Sequence, residues 1–357
     1  MSVISLLSKG IALTALTLPV ATANETLIFD AEFDKQENWA PKVRSQRYRF
    51  EGDTGWVPDI PENKPGKFDF YYLSESWHPS DYPEKKPVVQ ITDDFPGYSG
   101  RRAFVMWDES YGGPGSWGAD SVMTKDLGQE YDELYLELRI KFSPDWIWED
   151  IQQGSGQSVM KLLRCRRYSG ITTQNRFSFF GEDARSGSPV AIFDLKSWTT
   201  STGNWLRPLM HIYGYSHPDY YKTEQDYFGF GSDYKTKIEN GVKVNGRSLS
   251  WADVFLDGNW HTIGMYLKMD SQAGAGDGQV KVFIDGDPVI DANDVPWRRV
   301  GDESIKGWNE CSLGGNINNV PFDSSERYEQ WYAVDTFKIH RTLPNKPNPP
   351  SDIKIQE

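Results

Sequence analysis

Glu133–Phe142 reads ELYLELRIKF, with Leu134, Leu136, Leu138, Ile140 and Phe142 on one parity and Tyr135, Glu137, Arg139 and Lys141 on the other. Side chains of an extended strand alternate between its two faces, so this period of two predicts a half-buried β-strand. The alternation recurs outward from it. In GNWHTIGMYLKMD (258–270), His261, Ile263, Met265, Leu267 and Met269 alternate with Thr262, Tyr266 and Lys268. QVKVFIDGDPVI (279–290) sends Val280, Val282 and Ile284 inward and turns at DGD, so the two runs form a hairpin across the longer loop SQAGAGDG. WYAVDTFKIHRTL (331–343) reads as a closing strand, and PNKPNPPSD (344–352) as an extended tail.

Composition agrees with this pattern. Aromatic residues are 14% of the 357-residue chain, Gly and Pro number 32 and 21, and no long segment carries a helical apolar period. Many short strands joined by turns, in one large all-β domain, are expected. Met1–Ala23 stands apart as a secretory signal: Lys9 supplies a basic start, GIALTALTLPV (10–20) an apolar run, and ATA (21–23) a small-residue cleavage site. Cleavage there leaves about 334 of the 357 residues, beginning at Asn24, and places the product in a secreted or periplasmic compartment. No second apolar run approaches the roughly 20 residues of a spanning helix. Residues 24–103 then hold a first strand, TLIFDAEFD (26–34), and a polar, Pro- and Trp-rich stretch from about Asn38 to Pro96 that reads as an irregular wrapping segment bordering the cleft. A β-sandwich follows over 104–341 and an extended tail over 342–357. A monomer is expected.

The net charge of −13 argues against a nucleic-acid partner, whose phosphates demand a broad basic surface. It leaves room for an acidic sugar polymer, because the field inside a cleft depends on the charges that line it. Cys165 and Cys311 are the only cysteines, an even pair compatible with one disulfide or with two buried thiols, and their spacing matches no zinc motif. The chain has no P-loop, no H-E-x-x-H and no G-x-S-x-G, so P-loop nucleotide, metalloprotease and serine-esterase chemistries lack their signatures.

Two further stretches carry polar groups in strand alternation. In RPLMHIYGY (207–215), Met210, Ile212 and Gly214 share one parity and suit a core, which sends His211, Tyr213 and Tyr215 to the opposite, concave or solvent side. In VMKLLRCRRY (159–168), Met160, Leu162, Arg164 and Arg166 oppose Lys161, Leu163, Cys165 and Arg167, and parity alone cannot choose the core face. A bulge would let Lys161 and Arg164 point the same way. Cations beside tyrosines suit β-elimination on a uronic-acid polymer. The proton next to a carboxylate is weakly acidic, so a site must neutralise that carboxylate and stabilise the enolate with Arg, Lys or His, while a Tyr or His takes the proton.

The segments DGNWHTIGMYLK (257–268), GDGQVKVFIDG (276–286) and AVDTFKIHR (333–341) resemble the concanavalin A-like jelly-roll lectin and glucanase superfamily, over roughly Phe104 to Arg341. The resemblance implies a jelly-roll β-sandwich in a superfamily of hydrolases, lyases and binding modules. The E-x-D-x-x-E strand of its glycoside hydrolases is absent; Glu133 and Glu137 share a face but lack the intervening Asp. The basic strand and the alternating tyrosines resemble the alginate and glucuronan lyases of this fold, polysaccharide lyase family 14 above all. Lys161 in MKLLR matches that family's strand lysine, and Tyr213 and Tyr215 in YGY match its tyrosine pair. The resemblance implies that one tyrosine serves as base or acid, with Lys161 or a neighbouring Arg at the uronate.

The expected site is therefore Tyr213, Tyr215, His211 and Lys161 for catalysis, with Arg164, Arg166 and Arg139 binding an acidic polysaccharide. His211 comes from strand parity rather than from the family match. Two rival functions stand beside the lyase: a non-catalytic carbohydrate-binding or adhesion domain stacking sugars on the same aromatics, and a jelly-roll glycoside hydrolase using Glu137 with an acid from another strand. No redox cofactor is expected. Asp270 and Asp277 in MDSQAGAGDG are candidate calcium ligands set against a plain turn, His261 reads as a packed residue, and His217 before Pro218 as part of a turn.

Overall fold

The computed structural model describes residues 26–40, 67–73, 89–95, 97–98, 100, 102–110, 117–144, 146, 157–167, 189–200, 203–213, 242–244, 247–249, 255–298, 300–318 and 328–344. The signal segment, Tyr215, His217 and the tail beyond 344 lie outside them.

Every strand pair is antiparallel. In chain order the strands are β1 (Leu27–Asp30), β2 (Phe70–Leu73), β3 (Val89–Thr92), β4 (Ala103–Ser110), β5 (Trp117–Tyr131), β6 (Glu133–Phe142), β7 (Gln157–Arg166), β8 (Val190–Thr200), β9 (Gly203–Tyr213), β10 (Val242–Val244), β11 (Arg247–Leu249), β12 (His261–Lys268), β13 (Gly278–Ile284), β14 (Asp287–Val295), β15 (Trp308–Asn318) and β16 (Tyr328–His340). The first sheet runs β14-β13-β12-β6-β16-β4-β3, with β1 added on β16, and the second runs β2-β5-β15-β7-β8-β9. A separate two-stranded ribbon joins β10 and β11. A 3₁₀ turn spans Phe33–Lys35, and Phe255 is in helical conformation. The protein is an all-β two-sheet sandwich.

The periodic residues face the space between the sheets. Leu134, Leu136, Leu138, Ile140 and Phe142 from β6, Ile263, Met265 and Leu267 from β12, and Val280, Val282 and Ile284 from β13 meet Met160, Leu163, Phe193, Leu195 and Leu313 of the second sheet in one core. The outward parity of β6 is less exposed than a half-buried strand implies: Tyr135 is 0% and Glu137 6% accessible. A glycine explains part of this, because a Cβ on Gly264 of the neighbouring strand would collide with the Tyr135 ring lying over it. DGD closes the β13–β14 hairpin with φ of 51° at Asp285 and 84° at Gly286, the two positive values a tight primed turn requires. Within the stretch expected to wrap irregularly, β2 pairs with β5 and β3 pairs with β4, so that region contributes to both sheets.

Cys165 and Cys311 form a disulfide between register partners of β7 and β15, with Cα atoms 4.1 Å apart. It closes a loop across a sequence separation of 146 residues, for which chain-entropy estimates give at most about 5 kcal/mol. The Cys165→Ser/Cys311→Ser variant is expected to lose roughly 2–5 kcal/mol of unfolding free energy in urea titrations. An unchanged denaturation midpoint would show that the bridge adds nothing beyond the packing around it.

Candidate functional site

The second sheet builds its outer face around an irregularity in β7. Lys161 pairs with Asp194 of β8, but Leu163 pairs with Phe193, so Leu162 is an extra residue. Such a bulge resets parity. Met160, Leu162, Leu163 and Cys165 all enter the core, whereas Lys161, Arg164 and Arg166 take the register positions of Asp194, Ile192 and Val190 on the other face. Room for Lys161 comes from β15, where a Cβ on Gly315 would lie 2.5 Å from Lys161 Cβ. Its neighbour Gly314 has a φ of +87° that favours glycine.

These cations are held, not solvated. Lys161, Arg164 and Arg166 are 7%, 2% and 2% accessible. Arg166 Nε donates to Glu310 Oε1 at 2.6 Å, and both side chains are buried. Arg164 Nη2 donates to Ser312 Oγ at 3.3 Å, and the Ser312 and Thr124 hydroxyls lie 3.0 Å apart. Lys161 stands across from Asp194, which is fully buried. Desolvating a charge is expensive unless a counter-charge and hydrogen bonds replace water, and β15 supplies these to Arg166 and Arg164 through Glu310 and Ser312.

On the far side of β8, His211 of β9 pairs with Ile192 and Tyr213 with Val190. Arg164 and Arg166 pair with the same two residues from the other edge. His211 and Tyr213 therefore sit level with the two arginines, two strand spacings or about 10 Å away. Tyr215 is outside the described residues.

Arg139 is not brought to this face. It lies on β6 in the first sheet, between Thr262 and Thr336, with its guanidinium 4.2 Å from the centroid of Tyr98. The outward faces of a sandwich point in opposite directions with the core between them, which separates Arg139 from Lys161, Arg164 and Arg166. Glu137 shares the sheet of Arg139. Burial raises its carboxyl above the ordinary value, against the lowering influence of Arg139 and Lys338. Asp194, Glu310 and Ser312 had not been singled out from sequence; the available signal was charged or hydroxyl residues at fixed parity within apolar strands.

The remaining polar residues have structural partners. His261 Nδ1 lies 2.7 Å from Asp285 Oδ2 and Nε2 lies 3.0 Å from Asp257 Oδ1. Burial lowers the affinity of its ring for a proton, but hydrogen bonds to the two carboxylates outweigh this and raise the pKa to about 9. Asp270 accepts from the backbone N–H groups of Gly276 within its own loop and of Trp297 and Arg298 beyond β14, and Asp277 accepts from that of Ser271. Among the described residues no group of three or more His, Cys, Asp or Glu is placed to hold a metal ion, and no helix is long and apolar enough to cross a membrane.

No protein-family model matches the chain, and no curated protein matches it. Solved structures resemble it at low identity. Alginate lyase Aly36B in complex with alginate tetrasaccharide is 12% identical at a TM-score of 0.45, covering 86% of this chain and 97% of that one. The family GH16 non-specific endo-beta-1,3(4)-glucanase SCLam is 10% identical at 0.40, covering 86% and 95%. The laminarinase from Rhodothermus marinus is 9% identical at 0.41, covering 89% and 98%. At these identities and TM-scores the likeness selects no activity.

Two outcomes test these electrostatics. Arg166→Met should cost about 3–5 kcal/mol by leaving Glu310 charged and buried, and Arg166→Met/Glu310→Leu should recover most of it; equal losses in urea melts would contradict a buried pair. Because the His261 pKa is raised, its contribution is complete below about pH 6.5 and fades as pH climbs through about 9. Unfolding free energy should therefore fall by up to about 3 kcal/mol across that window, less the screening at half-exposed Asp257, and His261→Gln should flatten the slope.

Proposed function

We propose that the protein is a secreted or periplasmic polysaccharide lyase that cleaves a uronic-acid-containing polymer by β-elimination. The observation that supports this reading is the bulge at Leu162, which puts Lys161, Arg164 and Arg166 on one face at the level of His211 and Tyr213.

The side chains divide the labour as follows. Lys161 and Arg164 meet the uronate carboxylate and stabilise the enolate that forms when the C5–H bond breaks. Arg166, whose Nε is committed to Glu310, keeps the charged row in place. Tyr213 or Tyr215 takes the C5 proton, with His211 polarising the carboxylate or sharing the base role. The C4–O4 bond then breaks, the electron pair leaves with oxygen, a proton is returned to that oxygen, and a C4=C5 double bond remains. Proton transfer and charge stabilisation are both assigned to side chains of this chain.

A panel of alginate, glucuronan, heparin-like and neutral glucans separates the possibilities. Lysis generates an ultraviolet-absorbing unsaturated uronyl end, hydrolysis only new reducing ends, and a binding module neither. The mature protein is expected to produce the ultraviolet signal on at least one polyuronate, and no new double bond on any of them would sink the lyase reading. Tyr213→Phe and Tyr215→Phe should each be folded, with the variant that removes the base about a hundredfold or more slower. Full activity in both would remove the tyrosines from the mechanism.

A further inference from the structure

The outer face of the first sheet carries a group of residues that the elimination scheme leaves unused. Trp107 of β4 and Trp331 of β16 are register partners, and Phe95 packs edge-on to both, at 5.6 and 4.6 Å between ring centroids. With half-buried Trp260 these rings lie on small side chains, Ala103, Val105 and Ala333, separate from the main core. Lys141 of β6 stands directly across from Ala333, and Arg139 follows two residues away on the same parity. Three tryptophans are not fully withdrawn from water here, since Trp107 retains 8% accessibility and Trp260 and Trp331 more.

The platform is held in shape before any ligand arrives. The chain bearing Phe95 and Tyr98 lies flush on β16 because Gly97 has no Cβ; one placed there would collide with Asp335 and the Arg102 carbonyl. Tyr98 in turn supports the Arg139 guanidinium by a cation–π contact. Arg139 Nε itself is buried without a hydrogen-bond partner, so any contact with a ligand falls to the rest of the guanidinium. Of the acids nearby, Glu137 and Asp335 are buried on the strands, while Asp93 and Asp94 just before Phe95 and Asp257 just before Trp260 are exposed at the edge of the platform.

We propose that this face is a second, non-catalytic binding surface for an acidic polysaccharide, with Trp260 and Trp331 stacking on sugar rings and Lys141 and Arg139 meeting carboxylates. Flat apolar rings suit the apolar face of a pyranose, and cations raised beside them in a protein of net charge −13 select an anionic chain over a neutral one. A polymer long enough to engage this surface and the cationic face of the second sheet would be held more tightly than either contact alone allows. The surface shares its ligand class with the elimination reading but does not depend on catalysis.

Affinity electrophoresis of the mature protein through gels containing alginate, glucuronan or a neutral glucan reads binding independently of turnover. Retardation by a polyuronate is expected, with Trp260→Ala and Trp331→Ala each about tenfold weaker, the loss typical of one truncated aromatic anchor. Lys141→Gln should weaken retention at low salt and lose its effect near 1 M salt. If lyase activity is found, turnover of short oligosaccharides should be unchanged in all three variants; if none is found, the retardation arm still decides. Trp260→Ala and Lys141→Gln guard against a misfolded Trp331→Ala, with thermal midpoints checking each. Wild-type retention in both, or equal retention of the wild type by polyuronate and neutral glucan, would overturn the proposal.

Discussion

One inserted residue in β7 governs the chemistry of the second sheet. Without the bulge at Leu162, strict alternation through all ten residues would divide Lys161 from Arg164 and Arg166, sending a cation into the apolar space between the sheets or a leucine out of it. The bulge lets four apolar side chains, Met160, Leu162, Leu163 and Cys165, face inward while three cations face outward from the same ten-residue strand. Its cost is a local loss of pairing. The glycines of β15 absorb the distortion on one side, and Asp194 occupies the register position of Lys161 on the other.

The disulfide and the ion pair reinforce that register from opposite faces of the sheet. Cys165 bonds Cys311 in the core, and the next residues along, Arg166 and Glu310, pair outside it. A slip of one residue between β7 and β15 would break the bridge geometry and bury two uncompensated charges together. Arg164 and Ser312 occupy the following rung and are hydrogen-bonded to each other. The row of cations is thus part of the framework, and a group aimed by a rigid strand loses little on meeting a ligand.

The other sheet presents a different surface because its strands were assigned different neighbours. Arg139 and Lys141 face away from the β7 cations, beside tryptophans supplied by β4, β16 and the residue preceding β12. A basic residue on an amphipathic strand can serve either face of a sandwich. Which one it serves depends on the sheet its strand joins.

The alternation in ELYLELRIKF, in the β12–β13 hairpin and in the closing strand was legible because period two is a local property of an extended backbone and needs no partner to be recognised. The core residues followed from it, Met210 among them. Parity in VMKLLRCRRY was ambiguous from sequence, because an extra residue in one strand is defined only against the strand beside it. Pairing was hidden for the same reason: Cys165 and Cys311 are 146 positions apart, and the Arg166–Glu310 and Arg164–Ser312 rungs become readable only once that bridge fixes the register. The sequence by itself determined an all-β chain, its turn residues and its apolar parity, since these arise from backbone geometry and hydrophobic burial within a few residues. Tertiary structure alone decided that Lys161, Arg164 and Arg166 share a face while Arg139 lies across the core, because strand order and register are set by packing between segments far apart in the chain.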